Sequence, residues 1–447
     1  MKNSRLVLTA IIILAGIKVL AQNNQESSMI VTPKITHELI ENIKMAMMDN
    51  YIFPDTAAKM IAYLEKEFKK GSYSGIKDPA QLAGKLDADL QTSHRDGHLR
   101  IMYDPRLTQQ LLDTTDMEKK RRLNDSMSLA DMRHNNFYFS KAEILDGNIG
   151  YISFNQFVGF VNEAKPTVEA ALRFVANTNA LIIDLRNNGG GSPQMVNLVE
   201  SYFFPGKTHM NDIVDRSGKT DVFWTDPSLT EGLTLNMPVY ILTSGLTFSG
   251  AEDFTYGMQS VKRAIVVGDT TGGGAHPTGI YNLDMGFIGY IPHLRSLNPY
   301  THTDWEGIGI IPDIALSADD AVIAAQRDYF TKQIASAKTD REKKQLQWAL
   351  NSLLAKMDKQ NIDSAQLSIC TGTFAGGLRF YIKDNSLYCM NGERGNTVTK
   401  LQHISNNMFV LDENVQVEFV TDKSAQVSGI AMHWSDGGES FKGKENK

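Results

Sequence analysis

The chain has 447 residues, 42% hydrophobic and 21% charged, a composition that excludes a disordered or low-complexity protein and leaves room for several domains. A net charge of −6 without a concentrated basic run argues against nucleic acid as a partner. Two cysteines, Cys370 and Cys389, lack a CxxC partner or a neighbouring histidine, which argues against a disulfide framework, a thiol site or a metal site.

Lys2 and Arg5 precede an apolar run from Leu6 to Leu20, and Val19-Leu20-Ala21 leads into polar Gln22. Residues 1–21 read as a secretory signal peptide, too short for a membrane span, so the mature protein is expected outside the cytoplasm, in a periplasm or beyond the cell, without a stable membrane anchor. Three amphipathic helices follow in residues 30–105. Ile35, Leu39, Ile43 and Met47 recur every four residues; Met60, Leu64 and Phe68 mark a second stripe; Asp78-Pro79 starts a third carrying Leu82, Leu86 and Leu90. His98 lies in a Gly-containing turn before the strand-like Leu99–Tyr103, where a surface role is the ordinary one for a histidine. Residues 106–140 give no clear pattern.

From Asn148 the pattern sharpens into strand (Asn148–Phe154), helix (Asn162–Ala176) and strand (Ala180–Leu185). Asp184-Leu-Arg-Asn-Asn-Gly-Gly-Gly191 then leads into a helix from Pro193. Such a turn brings backbone N–H groups close to an anion. It lacks the Gly-Lys-Ser/Thr of a phosphate loop and GxGxxG spacing, so an oxyanion hole fits better, with Asp184 and Arg186 pairing to hold the turn. The apolar strand Pro238–Leu242 runs to Ser249, which precedes a helix carrying Phe254 and Met258. Ser249 is either an ordinary N-cap or an acyl-transfer nucleophile, since free N–H groups and the helix dipole stabilise negative charge there. A strand Arg263–Gly268, a second Gly-rich turn (Asp269–Pro277) and a hairpin (279–293) follow; Thr303–Asp313 sets acidic residues before a Gly-broken apolar strand. Residues 316–365 read as a helical connector with Leu346, Leu350, Leu353 and Met357 in a stripe. Residues 366–447 read as a small antiparallel β domain.

Asp184–Gly191, Thr243–Glu252 and Trp305–Asp313, in that order, resemble the tail-specific (carboxy-terminal processing) serine proteases. The Thr-Phe-Ser-Gly-Ala-Glu form, the Thr-Gly-Gly-Gly-Ala-His-Pro turn and the helical N-terminal segment are similar to the branch of the tricorn core protease and interphotoreceptor retinoid-binding protein. The resemblance implies an α/β fold: a crotonase/ClpP-like ββα core over residues 106–315, between the helical bundle and the β domain. It implies Ser249 as nucleophile, with backbone N–H groups of Gly250 and of Gly190 or Gly191 as the oxyanion hole. The processing enzymes pair serine with a lysine, but Gly274 stands at that position here. The tricorn-like branch uses a histidine and a glutamate, which puts His98 as general base and Glu306 as its orienting partner, with Gly97 where that branch has a serine. His276 is the rival base, and His94 and His302 are weaker candidates. The stretch from Met102 to Asn148 is too short for the PDZ module of the processing branch. The expected function is an exported serine endopeptidase acting on peptides or unfolded protein segments, without cofactor or metal. A non-catalytic carrier of hydrophobic ligands is the alternative; export argues against a third reading, a crotonase-like acyl-CoA enzyme.

Overall fold

The computed structural model describes residues 29–113, 115, 117–357, 364–405, 407–423 and 426–445; the expected signal peptide lies outside them. The chain divides into two compact units, residues 1–144 with 150–321, and residues 145–149 with 322–447.

The first unit is built on a six-stranded sheet in the order Ile314–Ala315, Ala264–Gly268, Val239–Thr243, Ala180–Asp184, Ile149–Phe154, Phe139–Leu145. The first four strands run parallel. The two middle strands, ALIID and VYILT, are buried along their whole length, as strands covered on both faces must be. The helices Val161–Phe174, Pro193–Ser201 and Gly250–Ser260 contribute to the same core, which includes Phe154, Phe157, Phe203 and Phe254. The segment 105–138, unreadable in sequence, forms helices Pro105–Leu112 and Met117–His134 and a short turn that inserts Met132 and Phe137 into this core.

The three N-terminal helices, Pro33–Asn50, Pro54–Lys69 and Pro79–Ser93, each start with proline in the first turn. The second is entered from Phe53, with Asp55 inside its first turn. Their apolar stripes close over Leu283, Phe287 and Ile291 of the later hairpin. The short strand Arg100–Tyr103 completes the seam by pairing antiparallel with Phe287–Pro292, Arg100 opposite Tyr290. This non-local pairing carries His98 to the second Gly-rich turn, far away in sequence.

Residues 307–312 do not form the expected strand. Gly307 and Gly309 adopt φ of 69° and 75°, and a Cβ on Gly309 would come within 2.2 Å of the Thr271 carbonyl oxygen, so the backbone must turn here. Only Ile314–Ala315 joins the sheet.

In the second unit the helices Ala321–Ser336 and Asp340–Met357 cluster with the β domain instead of forming a separate connector. Buried Gln416 donates to the Trp348 carbonyl and the Ser352 hydroxyl, which pins the helix Asp340–Met357 to the sheet. Four- and five-stranded antiparallel sheets enclose Phe374, Phe380, Phe409 and Phe419. Cys370 and Cys389 are both buried, and burial pushes each thiol up to about 12. Among the described residues no helix is long and apolar enough to cross a membrane.

Candidate active site

The strand Val239–Thr243 delivers the chain to a tight turn tied to the first Gly-rich loop. Thr247 Oγ1 donates to the Leu185 carbonyl at 2.8 Å, and Ser244 Oγ donates to the Arg186 carbonyl. Asp184 and Arg186 pair as expected, with Tyr151 donating to the same carboxylate. Ser249 follows at φ 53°, ψ −120° and opens the helix Gly250–Ser260. A non-glycine residue held there stores about 1–3 kcal/mol of strain, which surrounding contacts must offset. The sharp strand-to-helix turn presents the serine at the head of the helix dipole.

Glu252 holds that turn. Its carboxylate is fully buried and accepts from the N–H groups of Ser249, Gly273 and Gly274 and from the Thr271 hydroxyl. Burial pushes its pKa up to about 7 against the pull of those donors. One side chain thus ties the serine turn to the second Gly-rich turn. The Ser-x-x-Glu spacing of a capping box was present in the sequence and could have revealed it.

The first Gly-rich turn packs directly on the serine. A Cβ on Gly190 would lie 2.6 Å from the Gly250 nitrogen and 2.8 Å from Ser249 Cβ, which only glycine at φ 96° allows. The N–H of Gly190 donates to Asn188 Oδ1 at 2.9 Å, so it is not free to serve as an oxyanion donor. That corrects the expectation for Gly190. Gly189 donates to the Asn155 carbonyl. Among the described residues the N–H groups of Gly191 and Gly250 have no acceptor within the protein, and they are neighbours: a Cβ on Gly250 would sit 2.9 Å from the Gly191 nitrogen. Asn188, fully buried and also bonded to the Phe154 carbonyl, sets this turn.

His98 and Ser249 line one cleft of about 250 Å³, together with Gly191, Gly250, Phe248 and Trp305. The His98 ring packs on Phe248 at 4.7 Å between centroids. Its Nδ1 is buried without a hydrogen-bond partner and lies 4.0 Å from Glu306 Oε2. Glu306 is fixed by the N–H groups of Gly97 (2.8 Å) and Ala275 (2.6 Å). With Nδ1 turned to Glu306, Nε2 is the nitrogen left for a substrate-side proton.

His276 does not line this cleft; it lies behind Glu306, edge-on to Phe53. Its Nδ1 meets Asp96 Oδ2 at 3.0 Å and Glu306 Oε2 at 3.4 Å, while Asp304 Oδ2 stands 3.8 Å from Nε2, beyond hydrogen-bond distance. Burial alone would lower its pKa, but the surrounding carboxylates raise it to about 9, so the ring is a buried cation at neutral pH. Asp96 also accepts from Tyr51. Asp96, His276 and Glu306 could each offer a ligand atom to a metal within 4.8 Å of one another. Their oxygens are already committed to Tyr51, His276 and backbone donors, so the trio reads as a proton and charge network. His94 and His302 are exposed and do not line the cleft.

A strained serine at a helix start, two adjacent unengaged N–H groups and a carboxylate-backed imidazole are the parts of an acyl-transfer site of the serine type. Comparison with known proteins agrees with that class. Residues 148–316 match the model of peptidase family S41, and residues 25–133 match the N-terminal domain of that family in eukaryotic IRBP. The chain therefore carries peptidase family S41 domains.

Carboxyl-terminal-processing peptidase 2, chloroplastic, of Arabidopsis thaliana is 30% identical over 168 residues, 37% of this chain and 31% of that one. The chain spans about a third of the length of the curated relatives it matches. Among solved structures, one from Parabacteroides merdae ATCC 43184 assigned as a peptidase is 19% identical, with a TM-score of 0.48 over 69% of this chain and all of that one. The photosystem II D1 C-terminal processing protease is 15% identical, with a TM-score of 0.41 over 65% of this chain and 94% of that one.

Proposed function

We propose that the protein is an exported serine endopeptidase that hydrolyses peptides or unfolded protein segments through an acyl-enzyme on Ser249. The observation that carries this reading is the strained φ of Ser249 beside the two unengaged N–H groups of Gly250 and Gly191, in the cleft that also receives His98. Polypeptide substrates accord with the family and with relatives named for carboxyl-terminal processing.

In the proposed cycle the Ser249 hydroxyl attacks the scissile carbonyl carbon and its proton passes to His98 Nε2. The carbonyl oxygen becomes an oxyanion held by Gly250 and Gly191. The C–N bond breaks as His98 returns the proton to the leaving amine. Water then attacks the ester and gives up a proton to His98, which returns it to Ser249 Oγ as the ester C–O bond breaks and the acid is freed. Glu306 supports the imidazolium, and His276 and Asp96 hold Glu306 in place.

The test uses protein beginning at Gln22, as wild type and as Ser249→Ala, incubated with a mixed peptide library and read by mass spectrometry. Cleavage by wild type alone supports the reading. Equal cleavage by both sinks Ser249 as nucleophile. No cleavage by either folded protein favours the hydrophobic-carrier reading, which the aromatic lining by Phe223, Phe248 and Trp305 would suit. Export rests on residues 1–21, and sequencing the amino terminus of protein recovered outside the cytoplasm checks it.

A further inference from the structure

The lining of the cleft includes a carboxylate that the proposed chemistry does not use. Asp253 lies one helical turn beyond Ser249, and its N–H donates to the Ser249 carbonyl at 2.9 Å. It is only 7% exposed, yet it lines the same cleft as Ser249. Among the described residues no basic side chain pairs with it, and no lysine or arginine lines the cleft. Its polar neighbour is Asn211, whose amide also donates to Ser296.

Behind it lies a second carboxyl group. Glu200, from the helix Pro193–Ser201, is buried, and its Oε1 has no hydrogen-bond partner. A Cβ on Gly257 would sit 2.9 Å from that oxygen, so Glu200 packs against the very helix that carries Ser249 and Asp253. Burial raises both groups, Asp253 to about 7, and the charge of Asp253 raises Glu200 further. Fold stability does not call for this pair. Isosteric apolar residues would avoid the cost of burying it.

The same cleft is lined by apolar Ile213, Phe223, Leu294 and Pro277, with polar Thr278 and Ser296 among them. Apolar lining that includes one buried acid suits a side chain with a long aliphatic stem and a cationic head. A volume of about 250 Å³ accommodates one such side chain beside the reacting bond. Exposed Asp221 at the cleft lining adds a second negative charge, and His293, lowered by burial, adds no positive one.

We infer that Asp253 is a specificity-determining residue that takes the cationic head of a lysine or arginine side chain flanking the scissile bond. This rests on Ser249 as the nucleophile. A free α-amino group offers the same ammonium chemistry, and the experiment separates the two sources.

The first arm needs no turnover. Ser249→Ala protein is titrated with benzamidine and with benzamide, its neutral counterpart, by calorimetry. Benzamidine binding at least tenfold tighter supports the inference, and equal or absent binding overturns it. The same titration with Asp253→Asn added should erase the preference; a preference that survives in the folded variant overturns the role of Asp253. The second arm gives wild type a library of N-acetylated and free peptides. Cuts beside lysine or arginine within N-acetylated chains support side-chain recognition. Cuts confined to the ends of free-amine peptides, or cuts without enrichment for basic residues, overturn it. If wild type cleaves nothing, the nucleophile reading fails, while the benzamidine comparison still decides whether the cleft selects a cation.

Discussion

The Cε1 atom of His98 lies 2.7 Å from the point where a Cβ on Gly274 would stand, and the Phe248 ring comes within 2.2 Å of the same point. The position that the resemblance aligns with the lysine of the Ser–Lys processing enzymes is therefore filled from across the fold by an imidazole and its aromatic support. Histidine and lysine are mutually exclusive here for steric reasons, and the glycine is required by the histidine.

Gly274→Ala tests that relationship directly. The methyl group forces His98 or Phe248 to move, so kcat should fall by about 10²-fold or more, approaching the loss from His98→Ala, for which general-base catalysis sets a range of roughly 10²–10⁴. Steady-state kinetics with circular dichroism on the same preparations checks it. A Gly274→Ala enzyme with wild-type kcat would mean that His98 does not work from this position.

The buried cation behind Glu306 makes a pH prediction. The folded pKa of His276 is about 9 against an ordinary 6.5, so the folded state holds the proton more tightly. The corresponding stability is fully present below pH 6.5 and is lost as pH rises through 9. It amounts to the order of 3 kcal/mol, at about 1.4 kcal/mol per tenfold change in proton affinity. Urea unfolding of the Ser249→Ala protein from pH 6 to 9.5 should show this decline, and His276→Gln should flatten it. A parallel decline in both proteins would assign the effect to other groups.

What the sequence discloses about this site follows how local each feature is. The serine turn, the Gly-rich turns and the three N-terminal helices are written in spacings of three or four residues, and the structure forms them within a residue or two of the expected places. The Gly-broken strand expected before Asp313 misled because two left-handed glycines outweigh apolar patterning. Gly190 misled because only coordinates reveal that Asn188 Oδ1 takes its N–H. The pairing of Arg100–Tyr103 with Phe287–Pro292, which brings His98 to Phe248 and Gly274, leaves no periodic trace. Resemblance supplied His98, whereas the network of Asp96, Tyr51 and His276 behind Glu306 came from the structure alone.

Glu252 carries the next prediction. Glu252→Gln preserves shape but replaces one acceptor oxygen with an amide N–H₂, which must face backbone donors on one side or the other. A donor left unsatisfied in a buried site costs about 1–3 kcal/mol. The damage should appear in kcat more than in KM, because the variant disturbs the serine turn and the second Gly-rich turn without touching the cleft walls. A variant losing stability alone, with unchanged kcat, would reduce Glu252 to an ordinary capping residue.

The strain at Ser249 sets stability against activity at a single residue. At φ 53°, ψ −120° a glycine is at ease, while alanine keeps the Cβ clash. Ser249→Gly and Ser249→Ala both abolish proposed nucleophilic catalysis, so any stability difference between them reports the backbone. Relief of about 1–3 kcal/mol of strain, less the roughly 0.5–1 kcal/mol that glycine costs in unfolded-chain entropy, leaves the glycine variant ahead by about 1 kcal/mol. Denaturant midpoints at constant m-value measure the difference. If alanine proves equal or more stable, the turn is not strained in solution, and the argument that its conformation is kept for catalysis loses its physical basis.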